Sequence, residues 1–186
     1  EFDVVILPDG IGRSAAEGLE DFAKQGGTIV ALGDAVDVLA KWESTSITAA
    51  FQSQEEAEDP LAVPYADRNR HWATRAIEGA IFELAVDPTH PIGYLEGAQA
   101  FALKQGRSAW LPLDRGNTIA VYRQDAPISG HVGYQASKGL GDRLAIGSER
   151  IGSGKVIYFV DNPLFRGFWE EGKAYFDRAV LFSPTY

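Results

Sequence analysis

The hydrophobic positions of this chain fall into short continuous runs, separated by stretches in which they recur every three or four residues. Asp3-Val4-Val5-Ile6-Leu7-Pro8 is almost unbroken in apolar character, as in a strand covered on both faces of a parallel sheet. Asp9-Gly10-Ile11-Gly12 turns the chain, and Ser14 precedes Glu17 at the capping-box spacing that predicts a helix start. Ala15, Leu19, Phe22 and Ala23 form one stripe at helical spacing, and Gly26-Gly27 supplies the left-handed geometry that ends a helix. Thr28-Ile29-Val30-Ala31-Leu32 is the next strand, and Gly33-Asp34 is its exit. Strand, helix and strand within about thirty residues make one right-handed βαβ unit.

A short helix is predicted over residues 34–41. Residues 44–75 lose the rhythm: they are polar, acidic at Glu55-Glu56-Ala57-Glu58-Asp59, and broken by Pro60 and Pro64, an unusually long connection. Strands are predicted over residues 80–86, 98–104, 108–111 and 118–122. Residues 143–149 and 155–160 read as an antiparallel hairpin across Arg150-Ile151-Gly152-Ser153-Gly154. Trp169, Lys173, Phe176 and Val180 then repeat at helical spacing up to Ser183-Pro184. The pattern centres on Gly154 to Gly167, where a buried strand meets an Asn162-Pro163 corner and a helix follows. In open α/β sheets ligands collect at the carboxyl end of such a strand.

Composition narrows the chemistry. The 186 residues can form one domain with a substantial core, and no apolar run is long enough to span a bilayer. A net charge of -9 without basic clusters argues against nucleic acid and anionic membranes as partners. The absence of cysteine removes disulfides, thiolate metal sites and a Cys nucleophile together. There is no methionine, and the sequence opens inside a strand pattern, so a piece of a longer polypeptide is expected.

Each candidate site has an ordinary reading beside its functional one. Asp34 at a strand exit could be an ionised ligand or a carboxylate nucleophile, but the residue type and place favour a helix N-cap. Gly10-Ile11-Gly12 lacks the third glycine of a dinucleotide fingerprint and reads as a turn. His71, His90 and His131 are too dispersed for a local metal pair. Ser129-Gly130-His131 lacks the Gly-x-Ser-x-Gly elbow of a serine hydrolase. The acidic run lacks calcium-loop spacing and reads as a solvated face. Arg166 offers a planar fork for an anion or a partner carboxylate, or else a salt bridge to Asp161 or Asp9 that pins the last helix. Trp42, Trp72, Trp110 and Trp169 suit a sugar-stacking platform or ordinary packing.

The order and spacing of Leu7-Pro8-Asp9-Gly10, Gly26-Gly27-Thr28 and Gly154-Lys155-Val156 leading to Asn162-Pro163-Leu164-Phe165-Arg166 resemble the class I glutamine amidotransferase-like fold. Ile81-Phe82, His90-Pro91-Ile92-Gly93-Tyr94, Ile128-Ser129-Gly130 and Phe165-Arg166-Gly167 look more narrowly like the domain of this kind at the C-terminus of bacterial zinc carboxypeptidases of the carboxypeptidase A type. The resemblance covers nearly all of the chain outside residues 44–75. It implies an α/β, three-layer, flavodoxin-like domain over residues 1–186, lacking its first βα unit: a mostly parallel sheet flanked by helices, with an antiparallel edge hairpin and a polar insertion at 44–75. Active amidotransferases place a Cys on the elbow after a central strand and a His-Pro-Glu after a later one. Here those positions read Gly33 or Asp34, and Asn162-Pro163-Leu164. Asn has no proton to exchange near neutral pH, so the covalent route is lost.

The expectation is a non-catalytic accessory domain with a degenerate active site, the parent protein being a periplasmic or secreted metallocarboxypeptidase that hydrolyses peptides with zinc. The chain itself would carry no cofactor and no metal. Its partner would be the upstream peptidase domain of the same polypeptide, with homo-oligomers also open and no nucleic acid or membrane insertion. Two other readings stand beside it: a carbohydrate- or peptide-binding module using Asp34, Asn162, Arg166, Trp72 and Trp110, and a hydrolase with a site rebuilt around Asp34 and His131.

Overall fold

The computed structural model describes residues 2–50, 63–94 and 99–182. Eight strands form one curled sheet: β1 Val4–Leu7, β2 Thr28–Leu32, β3 Ile77–Val86, β4 Ala100–Lys104, β5 Asn117–Tyr122, β6 Ser129–Val132, β7 Leu144–Ile151 and β8 Gly154–Phe159. The order is β1-β2-β8-β7-β5-β3-β4, and β6 pairs with β3 beyond the end of β5. Flanking helices are α1 Leu19–Lys24, α2 Ala35–Leu39, α3 Arg68–Arg75, α4 Tyr134–Ser137 and α5 Glu170–Phe182. Among the described residues no helix is long and apolar enough to cross a membrane.

Parallel pairing is confined to β1–β2 and β2–β8 among these strands, and the remaining pairs are antiparallel. The antiparallel share is therefore larger than the edge hairpin expected from the sequence, and the sheet is mixed. A parallel return needs a long crossover, usually a helix. β4 and β5 each run antiparallel to β3 on its two edges, so they are parallel to one another, and the described link between them crosses over without a helix.

Two apolar clusters lie on opposite faces of the central strands. Ile157 and Phe159 of β8 point into one, with Phe82, Ile119 and Tyr122, covered by Tyr175 and Ala179 of α5. Val156 and Tyr158 point into the other, with Ile29 and Ala31, covered by Ala23 of α1 and Ala35, Val36 and Leu39 of α2. Each large side chain removed from water contributes about 1.5–3 kcal/mol, so these clusters fix the register of β2 and β8.

The βαβ unit and the hairpin form where the hydrophobic rhythm places them. The hairpin turn tightens to Gly152-Ser153, with Ile151 opposite Gly154. Gly152 has φ of +61°, and the turn backs onto α1, where Ser153 N donates to Lys24 O at 3.0 Å. Several expectations are corrected. The Ser14–Glu17 capping box does not form: Arg13–Ala16 is a 3₁₀ turn without a side-chain cap, and α1 starts only after Gly18 in left-handed geometry. The polar connection contains α3, a helix with few apolar residues to mark it in the sequence. Residues 108–111 contribute only single bridges from Trp110 to Ala49 and Leu144 rather than a strand. The acidic run at 55–59 lies outside the described residues.

Candidate functional site

Three strand ends meet at the carboxyl edge: Asp9 after β1, Asp34 after β2 and Asn162 after β8. Gly33 ends β2 with φ of +56°, and a Cβ there would overlap the Asp9 carboxylate. Glycine is required twice over at this position, for its backbone angle and for the space Asp9 fills. Asp9 Oδ1 accepts from Asp34 N at 3.0 Å, and its Oδ2 accepts from Asn162 Nδ2 at 2.7 Å. Asp34 Oδ1 in turn accepts from Gly10 N at 2.7 Å. Asn162 Oδ1 accepts from Leu164 N at 2.9 Å, a local turn bond that aims its amide at Asp9.

The result is a closed hydrogen-bonded circuit. Asp34 does not cap α2 with its side chain; the helix start receives Asp9 from the neighbouring loop instead. Asp37, one turn further on, is pushed above the usual carboxylate range by burial first and then by the Asp34 charge. Both carboxylates at the corner are committed as acceptors to amides, which suits a latch better than a proton-transfer pair.

Beneath the corner lies a second, buried cluster. Lys104 is fully buried, and its Nζ donates to Ser108 O at 2.8 Å, to the Tyr122 hydroxyl at 3.3 Å and to Asp161 Oδ1 at 3.4 Å. Tyr122 donates to Asp161 Oδ2 at 2.5 Å. Burial raises the pKa of Asp161 against the pull of Lys104, and burial followed by the Asp161 charge raises that of Tyr122. A cavity of about 30 Å³ opens beside this cluster under α5, walled by Phe101, Ile146, Phe159, Trp169 and Asp161. It has room for about two waters. The Tyr175 hydroxyl is buried there without a hydrogen-bond partner among the described residues.

The other candidates are dispersed. Arg166 is exposed with φ of +48°, and its guanidinium lies 5.2 Å from the centre of the Phe165 ring. No Arg166 ion pair to Asp161 or Asp9 is present among the described residues; Lys104 takes Asp161 and Asn162 takes Asp9. Leu164 packs half-buried on the α5-side core. Trp110 is 6% exposed and sits with Trp42 in the opposite cluster, whereas Trp72 on α3 is 59% exposed. Trp169 Nε1 donates to Phe101 O at 3.2 Å. The tryptophans therefore make no common platform. His131 is exposed on β6, which occupies the same edge of β3 as β5, three strand spacings across the sheet from β2, or roughly 14 Å, and further along β3 than β5, so it shares no site with Asp34. Among the described residues no group of three or more His, Asp or Glu is placed to hold a metal ion.

Sequence reasoning passed over Lys104 and Tyr122, although a signal existed. Period-two spacing puts Lys104 on the face of Ala100 and Ala102, opposite Ala80 and within the apolar core.

Comparison with known proteins gives fold alone. No family model matches, and no curated protein matches. A cytoplasmic protein from Salmonella typhimurium aligns over 97% of this chain and 71% of its own, with a TM-score of 0.56 and 13% identity. A ThuA-like protein from Parabacteroides merdae aligns over 98% and 70%, at 0.53 and 11%. The cold-adapted β-galactosidase from Rahnella sp. R3 aligns over 95% of this chain, at 0.51 and 15%. This chain spans about a fifth of the length of the β-galactosidases it matches, 21% and 22%.

Proposed function

We propose that this chain is a non-catalytic accessory domain, a packing and interaction scaffold within a zinc-dependent carboxypeptidase, on a three-layer flavodoxin-like plan of the amidotransferase type. The observation that carries the scaffold reading is the closed circuit at the corner. The Asp9 carboxylate fills the space over Gly33 where a nucleophile would project, and amides occupy the acceptors around it. An accessory role draws support from the Rahnella β-galactosidase, in which the matching fold makes up 22% of a larger chain. Attachment to a peptidase, and a periplasmic or secreted location, rest on the motif resemblance. The described residues do not fit a zinc site, because both Asp9 oxygens and one Asp34 oxygen accept from amides and the three histidines lie on separate elements. Zinc and the peptide-cleaving groups belong, on this reading, to residues outside this chain.

The test is turnover. The purified chain is incubated with glutamine and with unblocked peptides, with and without added zinc. No hydrolysis above the buffer rate is expected. Turnover abolished by Asp34→Ala or Asp9→Ala would overturn the scaffold reading.

A further inference from the structure

The two end strands of the sheet, β1 and β4, are finished differently. On β4, the outward backbone groups of Phe101 are capped by side chains next to α5. Glu171 Oε2 accepts from Phe101 N at 3.1 Å, and Trp169 Nε1 donates to Phe101 O at 3.2 Å. On β1, Asp3 O accepts from Thr28 N at 2.8 Å, so Asp3, Val5 and Leu7 turn their backbone groups toward β2. Alternation points the N–H and C=O of Val4 and Ile6 outward, and no strand among the described residues pairs with them. An open edge is a template for another chain, and proteins commonly blunt it with lysine, proline or a bulge. Val4–Leu7 contains neither residue, and its register on β2 is unbroken.

Beside this edge one face of the sheet is apolar and uncovered. Ile6 is in register with Val30, so Val4 and Ile6 face the α5 side, where Val4 packs half-buried on the core. The cover stops short of the edge: Ile6 is 42% exposed and Phe2 82%. On the other face Val5 and Leu7 belong to the cluster beneath α1 and α2, and Asp3 is exposed. Residues 2–12 carry Asp3 and Asp9 and no lysine or arginine, in a chain of net charge -9. Charge therefore favours a basic occupant and opposes a second copy. A twofold pair of β1 strands would also set four residues against four, where a stable dimer needs about 20–30 a side.

We propose that the β1 edge docks an extended segment of a partner protein in which apolar residues alternate with lysine or arginine. The segment adds a strand outside β1, its backbone pairing with the outward groups of Val4 and Ile6. Its apolar side chains fall on the α5 side and cover Ile6 and Phe2, and its basic ones fall on the other face beside Asp3. Main-chain bonds supply the affinity, and the alternation of side chains supplies the selection. The surface runs along the flank of β1 and uses none of the corner side chains, so it and the scaffold reading can fail independently.

A capped hexapeptide of alternating lysine and valine is titrated into the purified chain at low ionic strength, and backbone amide resonances are followed. Saturable shifts centred on Val4 and Ile6 are expected, with slowed hydrogen exchange at both amides. A glutamate–valine peptide, and one of the same lysine–valine composition arranged in two blocks, are each expected to bind about tenfold more weakly or worse. Ile6→Lys and Phe2→Lys, both at exposed side chains, place a like charge on the edge and are expected to weaken binding to a similar degree. Sedimentation of the chain without peptide is expected to give a monomer. Absence of saturable shifts at Val4 and Ile6, equal affinity for either control peptide, or affinity unchanged in both variants would overturn the proposal. So would a dimer that protects the same two amides without peptide, which would assign the edge to a second copy.

Discussion

At the scale of single residues, Gly33 and Lys104 hold the carboxyl edge together by opposite means. Gly33 works through an absent side chain. Gly33→Ala forces a Cβ onto the Asp9 carboxylate at a left-handed backbone angle, and a loss of about 1–3 kcal/mol in urea unfolding is expected. Lys104 works through charge. Lys104→Ala strands Asp161 in the core, an expected cost of about 3–5 kcal/mol, whereas Lys104→Met with Asp161→Asn recovers most of it. Equilibrium unfolding of the two variants side by side checks this. Asp161 also sets a pH dependence. Burial raises its pKa on folding, so its contribution to stability is largest in acid and falls as pH rises through the folded value. The Asp9–Asp34–Asn162 circuit was only half legible in the sequence. Asp34 and Asn162 are marked by their places after strands, but the partner that joins them, Asp9, is set by strand order rather than local pattern.

At the scale of elements, one carboxylate organises the approach to β7. Asp125 accepts from Gly139 N at 3.2 Å and Gly141 N at 2.6 Å, and these bonds, led by that from Gly141, lower its pKa. A carboxylate with a depressed folded pKa contributes stability above its unfolded value and loses it as pH falls through the folded one. Asp125→Ala is therefore expected to be less stable than the wild type at neutral pH. The gap should close in acid, as measured by thermal melts across a pH series. Elements with strong periodicity were legible: β1, β2, β5, the β7–β8 hairpin and α5. Others were not. Helix α3 carries only Trp72 and Ala73 among polar residues, too few apolar positions to mark it, and β6 is short and exposed, held by pairing to the far half of β3. The Ser14–Glu17 spacing misled because Gly18, in left-handed geometry, delays the helix beyond both residues.

At the scale of the molecule, the parallel strands β1, β2 and β8 build the corner, and the antiparallel strands beyond them build a buttress around Lys104, Tyr122 and Asp161. The parallel half follows from the βαβ rhythm. The extent of the antiparallel half does not, because strand order among β3 to β7 is decided by long-range pairing. The whole is read as a scaffold whose corner is a structural latch. A latch and a reaction centre differ in their effect on stability: active-site groups are commonly kept at the expense of stability, and latching groups add to it. The most direct test is the unfolding free energy of Asn162→Ala, which removes the Asp9 bond and the Leu164 turn bond together. A loss of about 1–2 kcal/mol relative to the wild type is expected. An Asn162→Ala protein as stable as the wild type, or more so, would contradict the scaffold account.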